Sequence, residues 1–532
     1  MGDKGTKHFD VLILGAGLSG IGMACRLIKE ETGLSYAIIE RRERVGGTWD
    51  LFKYPGIRSD SDMYTFGFGF RPWTGTHMLA PGAAIRQYVE DTANEYGVLD
   101  NVHFGLKFTK ASWSSADELW TVEVVNEATG AKDTYTSRFI AGCTGYYNYD
   151  KGYRPSWPGE EDFKGQWVHP QFWPEDLDYA GKKVVVIGSG ATAVTLIPNM
   201  VDKVGHVTML QRSPTYIMPI PGKDPIAVGI ENLPGIDVIP GTDKIAYILG
   251  RPRQVVLQTA MYNIARRAPR VMKSAIRLMN QVSLGDKVDI KHFTPTYEPW
   301  DQRICFVPDN DLFKALKSGK ADIVTDHIEK FVEDGIITKS GEKIEADIVV
   351  TATGLDIQLL GGGEVFVDGE KVGFGDRLLY KGALAESIPN AVIVIGYINM
   401  SWTLKSDLVA VYFCRLANYM RDNGFTTFIA HGRPEDRTDA TVMGAKLKSG
   451  YIARAASEMP KQGKGRPWEA LQDYIRDNVA LRYNPLEDGV LEFRGHDADG
   501  DRIVIGGFKL PGVANQLANK AGAPGRWLSR HV

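Results

Sequence analysis

Two glycine clusters, their companion side chains and one histidine are the residues whose types and spacing could do chemistry. Gly15, Gly17 and Gly20 form GAGLSG, and Gly188 and Gly190 form GSGATA together with Thr192. Glycines so spaced let a backbone approach a pyrophosphate, and a helix starting there presents free N–H groups to the anion. Glu40 stands twenty residues after Gly20, where a carboxylate accepts from ribose hydroxyls. After the second cluster the next strand is followed by Arg212, with no acid at its end. A 2′-phosphate wants a cation where a free ribose hydroxyl wants an acceptor, so Arg212 favours NADP over NAD. Gly46 and Gly47 open another loop, which runs through Thr48, Trp49, Tyr54 and Pro55 to Arg58 and Asp60. Taken alone, that loop reads equally well as a surface segment with an incidental ion pair. Between the clusters lies FKGQWVHPQFWPED (163–176), with Phe163, Gly165, His169, Trp173 and Pro174. A single histidine is more often a satisfied structural group than a catalyst, so the order of the whole pattern marks this stretch.

These residues need particular elements behind them. DVLIL, starting at Asp10, is an apolar run suited to a parallel strand buried on both faces. A helix to about Glu30 and the strand SYAIIE (35–40) complete the first unit. Residues 84–97 read as a helix, and 102–140 alternate as a small antiparallel sheet. AGCTGYY (141–147) ends on Gly145 before a Pro-rich stretch and marks a crossing between domains. KKVVVIG and HVTMLQRS are the strands of the second unit, and ADIVVTATG (346–354) is a second crossing. Between them, 251–280 holds seven Lys or Arg and no acid. There Val256, Ala260 and Ile264, then Val271, Ala275 and Leu278, recur at helical spacing, and Pro269 divides two helices. A basic amphipathic helix can lie on an anionic membrane. The commoner case, a helical insertion with a solvated basic face, is the expectation here. After 420 come helical signals at 443–458 and 466–482, short Gly-rich strands and a basic end.

The fold class is therefore α/β, with two Rossmann-like dinucleotide-binding domains and a helical insertion in the second. The first domain is discontinuous, spanning 1–147 and 381–532. The second spans 148–225 and 291–380, around the insertion at 226–290. At 532 residues the length allows about three to four domains. A net charge of −3 gives no reason to expect nucleic acid. Cys25, Cys143, Cys305 and Cys414 form no CxxC or metal-ligand pattern, so no metal site is expected. They suit a reducing cytoplasm without disulfides. No signal peptide is expected at the N-terminus. No run of about 18 apolar residues predicts a membrane span.

Two motifs together resemble type I Baeyer–Villiger monooxygenases. Phe163, Gly165, His169, Trp173 and Pro174 match the short fingerprint FxGxxxHxxxWP, with Glu175 where the family closes on Asp or Asn. Gly46, Gly47, Trp49, Tyr54, Pro55, Gly56 and Asp60 match the longer N-terminal pattern. YEPWDQR, TATGLDIQLLGG, NMSWTLKSDL and SGYIARA further resemble the ethionamide-activating monooxygenase subgroup. The resemblance implies FAD on Gly15, Gly17, Gly20 and Glu40, with Gly47, Thr48, Trp49 and Asp60 beside it. It implies NADP on Gly188, Gly190, Thr192 and Arg212. The implied reaction is NADPH- and O2-dependent insertion of an oxygen atom next to a ketone carbonyl, giving an ester or lactone, with sulfoxidation as a possible second activity. Arg303 matches the family's catalytic arginine, with Gln302 in place of the preceding lysine. Asp60 is the group that would hold Arg303. His169 becomes a hinge or relay residue between domains, and Arg58 and Trp402 are secondary candidates for lining the pocket. The competing readings are a heteroatom flavin monooxygenase, a disulfide reductase, and a membrane-associated redox sensor built on 251–280. The reductase would need a cysteine pair that Cys25 and Cys143 do not supply.

Overall fold

Val11, Leu12, Ile13 and Leu14 are wholly buried, as a strand covered on both faces requires. The computed structural model describes residues 6–233, 242–444, 447–497, 500–505 and 508–510; the basic end, 511–532, lies outside the described residues. β1 (Lys7–Leu14) and β2 (Tyr36–Ile39) pair in parallel, joined by α1 (Leu18–Lys29). The single turns α2 (Thr48–Leu51) and α3 (Met63–Phe66) follow, then α4 (Gly82–Glu95). β3 (Val102–His103) pairs with β2. β4 (Leu106–Ser114), β5 (Leu119–Asn126) and β6 (Lys132–Gly142) form the antiparallel run that their alternation predicts, and β6 returns parallel to β1.

β7 (Tyr147–Gly152) leaves this sheet. The second unit begins with β8 (Gln166–Val168), β9 (Lys183–Ile187), α5 (Ala191–Met200) and β10 (His206–Gln211). It is interrupted by β11 (Ile217–Ile220), α6 (Pro225–Glu231), α7 (Thr242–Arg267) and α8 (Pro269–Leu284). β12 (Cys305–Pro308) pairs with β11, and α9 (Asp311–Lys317) and β13 (Ala321–Thr325) follow. A small antiparallel sheet, β14 (Ile328–Val332), β15 (Gly335–Thr338) and β16 (Lys343–Glu345), precedes β17 (Ile348–Thr351). The parallel sheet runs β13-β10-β9-β17-β8.

β18 (Leu355–Ile357) pairs antiparallel with β7, so the two crossings between units run side by side as one ribbon. β19 (Glu364–Val367) then pairs with β4, and β20 (Glu370–Val372) with β19. Residues 364–372 thus extend the first sheet, where Val365 shares a core with Trp113 and Trp120. A short strand at Ala391–Ile393 pairs with β6, and α10 (Trp402–Asn423) packs on α1.

Helices form in the insertion where the spacing predicts them, and Pro269 opens the second. Their apolar repeat, however, points outward. Val256, Ala260, Ile264, Val271, Ala275 and Leu278 are all exposed. The buried face is the neighbouring one, made by Val255, Ala265, Met272 and Ile276. No described helix is long and apolar enough to cross a membrane. The four cysteines are buried and free.

Candidate active site

The first glycine turn is enclosed by its own neighbours. Gly15 has φ of 100°, a conformation that favours glycine, and a Cβ there would lie 2.9 Å from the Cys143 carbonyl oxygen. A Cβ on Gly20 would lie 1.8 Å from the Gly15 carbonyl oxygen. Gly17 caps α1 with no side-chain bond, and no acid occupies the first turn, so the helix N-terminus offers its N–H groups. Gly47 approaches Gly17 backbone to backbone, and the Gly46 amide donates to the Ala16 carbonyl at 3.1 Å. The buried Glu40 accepts from the Ala16 amide at 2.6 Å and from the Arg42 amide at 2.8 Å. Burial pushes its carboxyl above the ordinary value, against the pull of those amides. Gly15, Gly17, Glu40, Gly47, Thr48 and Trp49 line one cavity of about 340 Å³. Room without side-chain bulk, an open helix N-terminus and an acid at the strand end fit a dinucleotide.

The loop after Gly47 leans on the second unit. Phe52 and Tyr54 are buried in that unit's core with Trp173 and Val186. A Cβ on Gly56 would overlap the Asn199 side chain of α5. The charges in this loop do not pair with each other. Arg58 pairs with Asp311 at 2.6 Å, while Asp60 Oδ2 lies 3.2 Å from Arg303 Nε.

Arg303 and Asp60 line the first cavity and also a second, of about 230 Å³. The pair forms part of the wall common to both. Asp60 above all holds the guanidinium above its usual range, with help from Tyr146, Tyr451 and Tyr147, so Arg303 stays charged. Burial raises the Tyr147 phenol to about 12 and pushes Tyr146 and Tyr451 up as well, so all three stay neutral. The Tyr146 ring lies 5.3 Å from that of Trp402, whose Nε1 donates to Ser19 Oγ at 2.8 Å. Arg58, Trp402, Cys143 and Cys305 also line the first cavity. Met78, Met218, Met261, Met400, Trp300 and Phe306 make the second mainly apolar.

The second glycine turn reaches the same cavity through Thr192. Gly188 has φ of 136°, and a Cβ there would lie 2.3 Å from the Ala352 carbonyl oxygen. A Cβ on Gly190 would meet nothing within 4 Å. Ser189 Oγ lies 2.7 Å from Thr215 Oγ1, which brings the segment after β10 against the turn. Arg212, in that segment, is exposed. The open turn, the uncapped N-terminus of α5 and a nearby cation fit a phosphorylated nucleotide.

His169 is not brought to either cavity. It follows β8 and lies under the β7–β18 ribbon, where a Cβ on Gly152 would overlap its ring at 2.0 Å. Its Nδ1 accepts from the Gln171 amide at 3.2 Å, and burial lowers its pKa, favouring the neutral ring. Tyr146, Tyr147 and Tyr451 were not among the residues singled out from sequence. Tyr146 and Tyr147 follow Gly145 directly at a crossing, and Tyr451 lies within SGYIARA; these places are the sequence signals for them.

Residues 76–224 match the family Flavin-binding monooxygenase-like, and residues 13–79 match NAD(P)-binding Rossmann-like domain. The chain is 52% identical to MymA of Mycobacterium tuberculosis, over 92% of this chain and 98% of that protein. It is 47% identical to the FAD-containing monooxygenase EthA of Mycolicibacterium smegmatis, over 93% and 98% respectively. Its fold resembles cyclohexanone monooxygenase from Rhodococcus sp. Phi1 bound to NADP+, with a TM-score of 0.64 and 20% identity over 81% of this chain and 87% of that one.

Proposed function

The chain belongs to the FAD-containing monooxygenase family, and on that premise we propose that it inserts one oxygen atom of O2 next to a ketone carbonyl, giving an ester or lactone. The observation that carries this reading is the Arg303–Asp60 pair in the wall common to two cavities, one lined by the first glycine turn and one apolar. The fold shared with an enzyme named for a ketone supports it, as do both fingerprints. The first glycine turn would hold FAD and the second NADP, and the flavin, once reduced by NADPH, would supply the activated oxygen. Arg303 provides a fixed positive charge where the substrate's carbonyl oxygen would become an oxyanion. Asp60 grips Nε and limits the rotation of that side chain. Neutral Tyr146, Tyr147 and Tyr451 crowd the guanidinium without competing for its charge. The apolar second cavity takes the ketone and keeps water from the reacting centre. Arg212 holds the 2′-phosphate, and His169 acts as a positioning residue at the ribbon between the units.

The test is ester formation from a panel of ketones, read with NADPH oxidation and O2 uptake. Arg303→Ala should lower ester formation by about 10²–10³ with flavin content unchanged. NADPH consumption without oxygen insertion into any carbonyl, identical in Arg303→Ala, would sink the proposal. Oxidation of sulfides alone would replace it with the heteroatom class.

A further inference from the structure

Ten of the eighteen large apolar side chains exposed among the described residues lie on α7 and α8. On α8 they form a ridge: Val271 is 63% exposed, Leu278 62% and Val282 77%, with exposed Ala275 between. One residue out of phase runs a polar ridge of Arg270, Ser274, Arg277 and Gln281, all exposed. On α7, Ile245, Ile248, Leu249, Val256 and Ile264 are exposed along one side. Apolar exposure this dense on a soluble surface marks an interaction site.

Charge identifies the occupant. Residues 244–284 hold eight Lys or Arg and no acid. Arg253 pairs with Asp224, Arg266 with Asp301 and Lys273 with Glu298, while Arg251 donates to the Tyr64 and Gly67 carbonyls. Arg267, Arg270 and Arg277 are exposed and make no ion pair among the described residues. We propose that α7 and α8 dock on an anionic lipid bilayer, with the aliphatic ridges among the acyl chains and these three arginines at the headgroups. Guanidinium groups on flexible stems beside an apolar ridge can reach the headgroup level while their stems stay apolar. α7 also contributes Gln254, Leu257, Gln258 and Met261 to the second cavity, and Leu257 is itself 52% exposed. Docking sets a wall of that cavity against the lipid.

The test is flotation of the full-length holoenzyme with vesicles of phosphatidylcholine alone or mixed equally with phosphatidylglycerol. It reads binding, so its outcome is separate from that of the ketone assay. Flotation is expected with the mixed vesicles only. Arg267→Gln, Arg270→Gln and Arg277→Gln together should weaken partitioning about a hundredfold, at about fivefold per charge. Val271→Asp with Leu278→Asp should abolish it. Both variants should oxidise NADPH like the unaltered enzyme when no vesicles are present. Absence of flotation with the mixed vesicles overturns the proposal, as does flotation that neither variant changes. A dimer in sedimentation that Val271→Asp with Leu278→Asp dissolves would assign the face to a second copy and overturn it equally.

Discussion

The two glycine turns share one strand–turn–helix plan but are enclosed differently. Around the first, backbone meets backbone at Gly15, Gly17, Gly20 and Gly47, and buried Glu40 ties the loop to the strand end. Around the second, only Gly188 is hemmed in; Gly190 faces open space, the third position is alanine, and Arg212 is exposed. The difference teaches how one fold can serve two kinds of ligand. A seat with no slack suits a cofactor that stays, whereas an open seat with a surface cation suits one that enters and leaves each cycle.

The third position offers the hardest test of that contrast. Gly20→Ala should abolish flavin retention, because its Cβ would collide with the Gly15 carbonyl. Ala193→Gly, the reciprocal change in α5, should cost about 1 kcal/mol of stability and leave the flavin in place. Flavin absorbance of the purified proteins and thermal unfolding decide, and equal tolerance at both positions would erase the contrast. Arg212→Ala comes next. It should raise the KM for NADPH about 10–100-fold, the worth of a charged hydrogen bond, with NADH and flavin content unaffected. Steady-state kinetics with both nucleotides measure it, and equal effects on the two would remove the phosphate role. The smallest effect concerns the ribbon between the turns. Burial lowers the His169 pKa from its ordinary 6.5, so the unfolded chain takes up that proton first as pH falls. The stability of the neutral ring is therefore whole above that value and is lost below it. Thermal midpoints of His169→Asn measured from neutral to mildly acid pH should decline less steeply than those of the unaltered protein.

Local pattern made much of this legible. Glycine spacing, apolar runs and a strand-end acid are short-range signals, and they marked the first turn and Glu40. The Arg303–Asp60 pair joins residues far apart in sequence, so physics alone offered no link; only the resemblance suggested it. Arg58 shows the hazard of proximity, since its partner is Asp311, 253 residues on. The tyrosines around Arg303 and the methionine-rich cavity are assembled from separate segments, which no single stretch can announce. In α7 and α8 periodicity revealed an apolar stripe but not which way it faces. The same limit applies to 364–372, which fall within the stretch 291–380 assigned to the second domain yet join the first sheet, a pairing that no local pattern announces.

Two cavity-wall residues, Cys143 and Cys305, bear on how long such an enzyme would last. Burial pushes both thiols up to about 12, which leaves roughly one in 10⁵ ionised at neutral pH. Oxidants attack the thiolate, so hydrogen peroxide escaping from an unproductive turnover would find these sulfurs inert. Thioethers have no such protection. Wear from the protein's own by-product would be written instead on Met78, Met218, Met261 and Met400. Each sulfoxide there would make the apolar cavity more polar, so ageing would erode substrate selection before it touched the cofactor seats.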